Sequence, residues 1–143
     1  MEQLEKMADF FAARVDMYDE HMINDVEGCR EGYRKMAEYV PEGCKSLLDL
    51  GCGTGLELEA IFRKYPDISV TGIDLCEEML ERLRGKYTDK NIKLICGDYF
   101  TEDLGEGFDC AVSFQTMHHF SHKRKISLYQ RIFNVIRFSL FFC

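Results

Sequence analysis

The chain has 143 residues, of which 46% are hydrophobic and 30% are charged, and its formal net charge is -7. This length supports one domain with a real apolar core, and the aromatic content with only two prolines excludes a disordered or collagen-like chain. No apolar stretch approaches the roughly 20 residues of a membrane span, and the first residues lack the order of a signal peptide. We therefore expect a cytoplasmic protein that contacts no membrane. Nucleic-acid binding needs a concentrated basic face, so at a pI near 5.1 it is only a minor alternative.

The seven cysteines also fit a reducing compartment. Their number is odd, none are spaced C-x-x-C, and several lie inside apolar runs such as LICGD and FDCAV. This usage predicts reduced, mostly buried thiols rather than a disulfide framework or a metal site.

Two amphipathic helices are predicted at the start of the chain. Their apolar residues recur at helical spacing, in the first at Leu4, Met7, Ala8, Phe11 and Val15, and in the second at Cys29, Tyr33, Met36, Ala37 and Val40. The second pattern is ended by Pro41 and Gly43. Each helix therefore has one face to bury.

From Ser46 onward, short apolar runs alternate with helical patterns. Four runs, SLLDL, SVTGID, IKLICGD and FDCAVSF, end at or near Gly, Asp or a polar residue and predict buried strands. The helical patterns between and after them are Leu58, Ile61, Phe62 and Tyr65, then Leu80, Leu83 and Tyr87, then Tyr129, Ile132, Phe133 and Ile136. This alternation predicts an α/β fold with a Rossmann-like parallel sheet and helices on both faces. Ligands of such sheets bind beyond the carboxyl ends of the strands.

A glycine-rich loop follows the first predicted strand, where residues 49–55 read D-L-G-C-G-T-G. Glycines allow a sharp turn and close approach of a ligand to the backbone, and the start of a helix offers free N–H groups. A simple strand-to-helix turn is the alternative, although three glycines at alternate positions exceed what a turn requires. A dinucleotide fingerprint would need a third glycine at position 56, which is Leu56, so an NAD-dependent oxidoreductase is disfavoured.

The D-L-G-C-G-T-G string resembles motif I of the class I S-adenosylmethionine (SAM)-dependent methyltransferases. The resemblance implies that Asp74 bonds the ribose hydroxyls, that Asp98 bonds the adenine amino group, and that Asp49 orients the methionine end. It further implies a cofactor-binding set that includes Gly51, Cys52, Gly53, Gly55, Leu75, Met79, Tyr99, Gln115 and Tyr18. Other readings stay open for some of these residues, because Asp74 and Asp98 also suit strand-end turns, and Leu75, Met79 and Cys52 suit core packing.

Residues 10–19 resemble the lid segment of small-molecule methyltransferases, in which a Phe and then a Tyr-Asp pair close over the cofactor. An aromatic ring attracts a sulfonium through its π face, and Tyr18 is the candidate for that contact. The alternative is a tyrosine that packs a helix onto the sheet. We divide the single domain into a helical lid, residues 1–43, and a cofactor-binding α/β half, residues 44–143.

The string His118-His119-Phe120 follows the fourth predicted strand, where the family often has such a string beside the acceptor. His118, His119 and Tyr18 are the candidates for catalysis, since a neutral imidazole can take a proton from an acceptor atom. Packing at a helix start is the alternative. Adjacent histidines point in different directions, so no metal site is expected.

The resemblance ends near Ile136. The family's strand order is 3-2-1-4-5-7-6, whereas this sequence predicts 3-2-1-4, with the fourth strand as an open edge beside the apolar tail FSLFFC. We therefore expect a truncated methyltransferase that can form a homodimer through this edge or tail.

These features predict a SAM-dependent methyltransferase that acts on a small-molecule acceptor whose identity the sequence does not give. The alternative is a catalytically silent module that binds SAM or another nucleotide, or that self-associates.

Overall fold

A computed structural model describes residues 2–114 and 120–140 of the chain. The helices are α1 (Glu2–Ala12), α2 (Val15–Asn24), α3 (Cys29–Tyr39), α4 (Leu58–Lys64), α5 (Glu77–Lys86) and α6 (His122–Val135). The strands are β1 (Ser46–Leu50), β2 (Ser69–Asp74), β3 (Ile92–Cys96), β4 (Phe108–Val112) and β5 (Ile136–Leu140). In these ranges, no helix combines the length and the apolar character needed to cross a membrane.

The strands form one parallel sheet in the order β3-β2-β1-β4-β5. The four predicted strands and their order 3-2-1-4 are confirmed. Parallel neighbours need crossover connections, and the helices between the strands supply them. All carboxyl ends therefore meet at one edge of the sheet, where β1 and β2 deliver the glycine loop and Asp74 side by side.

The prediction that the fourth strand is an open edge is wrong. Residues expected in an apolar tail form β5, which pairs in parallel with β4 from Phe108 opposite Ile136 to Ala111 opposite Leu140. The error has a physical cause: a short apolar run without flanking turn residues reads equally well as a tail or as a strand. Because β5 covers β4, a homodimer through the edge of β4 loses its basis, while the alternative homodimer through the apolar tail stays a prediction.

Two apolar layers cover the two faces of the sheet, which confirms that helices flank it on both sides. One layer packs α3, α4 and α5 against β1 and includes Met36, Leu58 and Leu83. The other packs α6 against the opposite face and includes Leu128 and Ile132. The fold thus encloses β1, β2 and β4 between helices and leaves their carboxyl ends accessible.

The buried face of α6 differs from the prediction. Leu128 and Ile132 are fully buried, whereas Phe133, which was assigned to the buried face, is 79% exposed, and Ile136 lies in β5 rather than in the helix. Of the described cysteines, Cys96 is exposed and the others are buried and unpaired, in agreement with the predicted reduced thiols.

The structure has three helices before β1, not two. The first predicted helix breaks at Ala13 and Arg14, where the guanidinium of Arg14 donates to the carbonyl of Phe10 at 2.9 Å. Val15, expected on the first helix, begins α2. No residue of α2 is fully buried, but Val15, Tyr18 and Met22 lie at helical spacing and are half-buried.

Asp109 joins three strands and yields a test of the fold. Its Oδ2 accepts hydrogen bonds from the backbone N–H groups of Lys45 (2.9 Å) and Ser46 (3.2 Å), and its Oδ1 lies 3.4 Å from Arg137 Nη2. Because Asp109→Ala leaves two N–H groups unpaired, we expect it to lower the free energy of unfolding by about 2–3 kcal/mol, measured by urea denaturation. The exposed Asp67→Ala is the control, and an equal effect of both substitutions would refute the assignment.

Candidate functional site

A cleft lies at the carboxyl edge of the sheet, beneath α1 and α2. Its cavity volume is about 110 Å³, and the cleft opens to solvent. The sheet side is lined by Gly51, Gly53, Asp74, Leu75, Cys76, Met79, Asp98, Tyr99 and Phe114. The remaining wall is formed by Met7, Ala8, Phe11, Tyr18 and Phe120. The N-terminal helices therefore cover the point to which the strands deliver their polar residues.

The glycine loop turns over the end of β2. Gly51, Gly53 and Gly55 have φ values of +69°, +53° and +75°, which side chains other than glycine rarely adopt. The N–H groups of Gly51 and Cys52 donate to the carbonyl of Ile73 at 2.8 and 3.2 Å. The helix α4 begins at Leu58, three residues after the last glycine of the loop. The N–H groups around Gly53, rather than a helix end, thus border the cleft.

Asp74 ends β2 and organises the loop. Its Oδ2 accepts a hydrogen bond from the N–H of Gly53 at 2.9 Å, and its Oδ1 accepts one from the N–H of Cys76 at 3.0 Å. Burial raises the pKa of Asp74, and these backbone donors oppose that shift. Each carboxylate oxygen keeps a further lone pair, so Asp74 can still accept hydrogen bonds from a ligand in the cleft.

Asp98 lies on the same edge, two residues beyond β3. Its Oδ1 accepts a hydrogen bond from the N–H of Phe100 at 2.9 Å, and the residue lines the cleft beside Tyr99. The parallel register that pairs Asp74 with Cys96 brings Asp98 next to the Asp74 end. The structure thus brings together the loop, Asp74 and Asp98.

Asp49 lies on β1 beneath the loop and is completely buried. No N–H or hydroxyl group of the described residues donates to its carboxylate oxygens, and its carboxyl group is hydrogen-bonded to that of Glu57. Burial raises the pKa of Asp49 well above its ordinary value, and the nearby carboxylate of Glu57, itself 4% exposed, raises it further. Burial also raises the pKa of Glu57. The two carboxyl groups therefore form a desolvated acidic pair, which favours a proton or a cationic group.

Aromatic rings form the side walls of the cleft. Phe11 of α1 and Tyr18 of α2 contact edge to face with centroids 6.0 Å apart, and Tyr99 and Phe120 do the same at 6.0 Å. Burial raises the pKa of the Tyr18 phenol, and the carboxylates of Glu57, Asp74 and Asp19 raise it further. Tyr18 therefore stays protonated at neutral pH, which favours a role as a ring surface or hydrogen-bond donor over one as a base.

The remaining predicted residues divide into two groups. Leu75 and Met79 line the cleft, whereas Cys52 is buried and packs on the opposite side of the loop, against Gly72. Burial raises the pKa of the Cys52 thiol well above its usual range, so this thiol is a poor nucleophile.

Gln115, His118 and His119 lie outside the described residues, and their roles stay predictions. Within the described ranges, no three His, Cys, Asp or Glu residues are grouped to hold a metal ion.

Sequence reasoning missed several residues of the cleft. Met7 and Ala8 were read only as helix packing, and Cys76 and Phe114 were not singled out. Glu57 was also missed, because a glutamate between apolar residues of a helical pattern reads as exposed. The apolar face of α1 was visible in the sequence, but its position over the cleft depends on tertiary packing.

The acidic pair leads to a prediction about stability. The pKa of Asp49 is higher in the folded state than in the unfolded state. Between these two pKa values the folded state binds more protons, so the folded chain loses stability as the pH rises through this range. Asp49→Asn removes this charge, and we expect it to raise the free energy of unfolding of the ligand-free chain by about 1–3 kcal/mol near neutral pH.

The measurement is urea denaturation of both proteins at about pH 5 and pH 7.5. The advantage of the variant should be larger at the higher pH. A variant that is less stable than the wild-type protein at pH 7.5, or a difference that shrinks as pH rises, would contradict the electrostatic assignment.

Comparison with known proteins identifies the family. A family model described as "Methyltransferase domain" matches residues 47–138. A malonyl-[acyl-carrier protein] O-methyltransferase of Priestia megaterium is 30% identical over 89 residues, covering 61% of this chain and 32% of that protein. The chain thus spans about a third of the length of this relative.

Solved structures share the fold. Streptomyces venezuelae DesVI has a TM-score of 0.70 and 24% identity, with 87% of this chain and 53% of that chain covered. Haemonchus contortus phosphoethanolamine N-methyltransferase 1, solved with phosphoethanolamine and S-adenosylhomocysteine, has a TM-score of 0.76 and 17% identity, with coverages of 95% and 30%. Because the family model covers more than half of the sequence and the sheet order agrees with it, this chain belongs to the class I SAM-dependent methyltransferases.

Proposed function

We propose that this chain binds SAM in the cleft beneath α1 and α2 and transfers its methyl group to a small-molecule acceptor. The observation that carries the proposal is the convergence of the glycine loop, Asp74 and Asp98 in one covered cleft. A strand-end turn would account for any one of these features alone. Their common position at neighbouring strand ends fits a nucleoside lying across the sheet.

The residues of the cleft fit the nucleoside part of SAM. Asp74 offers two acceptor oxygens of the kind that suits a vicinal diol, and Asp98 offers an acceptor for an exocyclic amino group. Leu75 and Met79 supply apolar surface for a purine between these two carboxylates.

The buried Asp49 fits the methionine part. No N–H or hydroxyl group of the described chain donates to its carboxylate oxygens, and its neighbour Glu57 adds a second desolvated carboxyl group. A desolvated acidic pair destabilises a folded protein unless a cation or a shared proton compensates it. The ammonium group of SAM carries such a charge, and Asp49 lies on β1, which leads directly into the loop that borders the cleft.

When bound, SAM supplies a methyl carbon on a sulfonium, from which a neutral thioether can leave. The contribution of the chain is then to orient the partners and to keep water away from them. Phe11 and Tyr18 place aromatic rings at the covered side of the cleft, where a ring stabilises a sulfonium through its π face. The protonated phenol of Tyr18 suits this role better than proton abstraction.

The cover formed by α1 and α2 favours a small acceptor. Met7, Ala8 and Phe11 close the cleft on the side away from the sheet, which leaves little room for a macromolecular segment. We propose that residues 1–43 act as the lid of a single domain. The unpaired state of the described cysteines supports a cytoplasmic setting.

Calorimetric titration with SAM and with S-adenosylhomocysteine (SAH) tests the cofactor site. We expect micromolar binding by the wild-type chain and an affinity about 10- to 100-fold lower for Asp74→Ala, because that substitution removes charge-assisted hydrogen bonds. Asp67→Ala, exposed and remote from the cleft, should bind as the wild type does. A folded wild-type chain that binds neither ligand, or an Asp74→Ala variant with unchanged affinity, would refute the site.

The role of Tyr18 can be tested with the same two ligands. Only SAM carries the sulfonium charge, so Tyr18→Ala should reduce the affinity for SAM about 3- to 10-fold more than the affinity for SAH. Tyr18→Phe keeps the aromatic ring and should therefore keep the wild-type ratio of the affinities for SAM and SAH. Equal losses of both ligands in Tyr18→Ala would show that the ring contributes packing alone.

A further inference from the structure

Helix α2 carries Tyr18 into the cleft and is held there by both apolar and polar contacts. None of its residues is fully buried and Met17 is largely exposed, but four apolar side chains at helical spacing are half-buried: Val15, Tyr18, Met22 and Ile23. Apolar burial is the usual force that fixes a surface helix. Because this apolar face is only partly covered, polar contacts also contribute to the position of α2.

The acidic residues of α2 supply these contacts. Asp19 accepts a hydrogen bond from Thr54 Oγ1 in the glycine loop, and its Oδ2 forms an ion pair with Lys86 Nζ of α5 at 2.6 Å. One turn earlier in α2, Asp16 forms an ion pair with Arg82 Nη2 of α5 at 2.7 Å. Both acids connect α2 to the elements that form the cleft.

Burial distinguishes the two acids. The side chains of Asp19 and Lys86 are 28% and 26% exposed, whereas those of Asp16 and Arg82 are 91% and 39% exposed. Exposed ion pairs contribute little because water screens them, and a partly buried carboxylate with two partners is screened less. Thr54 is fully buried in the glycine loop, so its hydroxyl offers Asp19 a fixed donor.

We propose that Asp19 is a positioning residue that attaches α2 to the glycine loop and to α5, and thereby holds Tyr18 over the bound ligand. This inference rests on the proposed function, in which that ligand is SAM or its product SAH. We name the contacts of Asp19 with Thr54 and Lys86 the Asp19 bridge. Because the bridge joins the cover to the loop that borders the ligand, its strength sets how often the cleft opens.

Three substitutions separate this role from general stability. Asp19→Asn removes the charge of the bridge, and Thr54→Val removes its hydroxyl donor while keeping the shape of the side chain. Asp16→Asn is the matched control, because it makes the same chemical change one helical turn away at an exposed pair. The full chain is used throughout, with urea denaturation to confirm that each variant is folded.

The first readout is hydrogen exchange of the ligand-free chain. We expect Asp19→Asn and Thr54→Val to accelerate exchange in α2 at least 5-fold while exchange in β1 and β4 stays unchanged. The double variant should exceed either single variant by less than the product of their effects, since both break the same bridge. Unchanged exchange in α2, or equal acceleration by Asp16→Asn, would overturn the proposal.

The second readout is the binding of SAH. Asp19→Asn should weaken the affinity about 5- to 20-fold, mainly through faster dissociation measured by stopped flow, whereas Asp16→Asn should stay within about 2-fold of the wild type. An affinity loss that arises only from slower association would overturn the proposal. Asp74→Ala should lose SAH without faster exchange in α2. If the wild-type chain binds neither SAM nor SAH, the proposed function fails while the exchange experiment still decides whether the bridge exists.

Discussion

The candidate site depends on the carboxylate of Asp74. This one group accepts hydrogen bonds from Gly53 in the loop after β1 and from Cys76 at the start of α5. Charge-assisted bonds of this kind are stronger than neutral ones. Asp74 thereby fixes the loop after β1 and the start of α5 at the end of β2. The residue that we expect to contact the ligand therefore also shapes the walls of the cleft. Substitution of such a residue changes both the contact and the geometry of the cleft.

A second constraint is the excess of negative charge around this carboxylate. Asp49 and Glu57 are buried beside it, and Lys86, whose charge lowers the pKa of Glu57, is already paired with Asp19. Burial in this poorly hydrated site raises the pKa of each of the three acids, and neighbouring carboxylates raise those of Asp49 and Glu57 further. The same excess favours a positively charged ligand over a neutral one of equal shape. The buried carboxylates therefore lower the stability of the ligand-free chain and at the same time favour binding of a positively charged ligand.

Much of this arrangement could be predicted from sequence because it rests on buried parallel strands. Such strands read as continuous apolar runs, and their topology places Asp74 and Asp98 at one edge without any knowledge of side-chain contacts. The strand β5 was missed because an apolar run after a helix carries no periodic signal. Glu57 was missed because a buried charge depends on partners distant in sequence. The break between α1 and α2 was missed because Val15, which begins α2, continues the apolar spacing of the first predicted helix.

The only partial burial of α2 is consistent with a helix that covers the cleft and can open. A helix fixed by a large apolar face would open rarely, since exposing that face to water is unfavourable in proportion to its area. Polar contacts such as those of Asp19 exchange readily with water, because each partner finds new hydrogen bonds when the contact opens. A cover that must admit one ligand and release another is better held by such contacts.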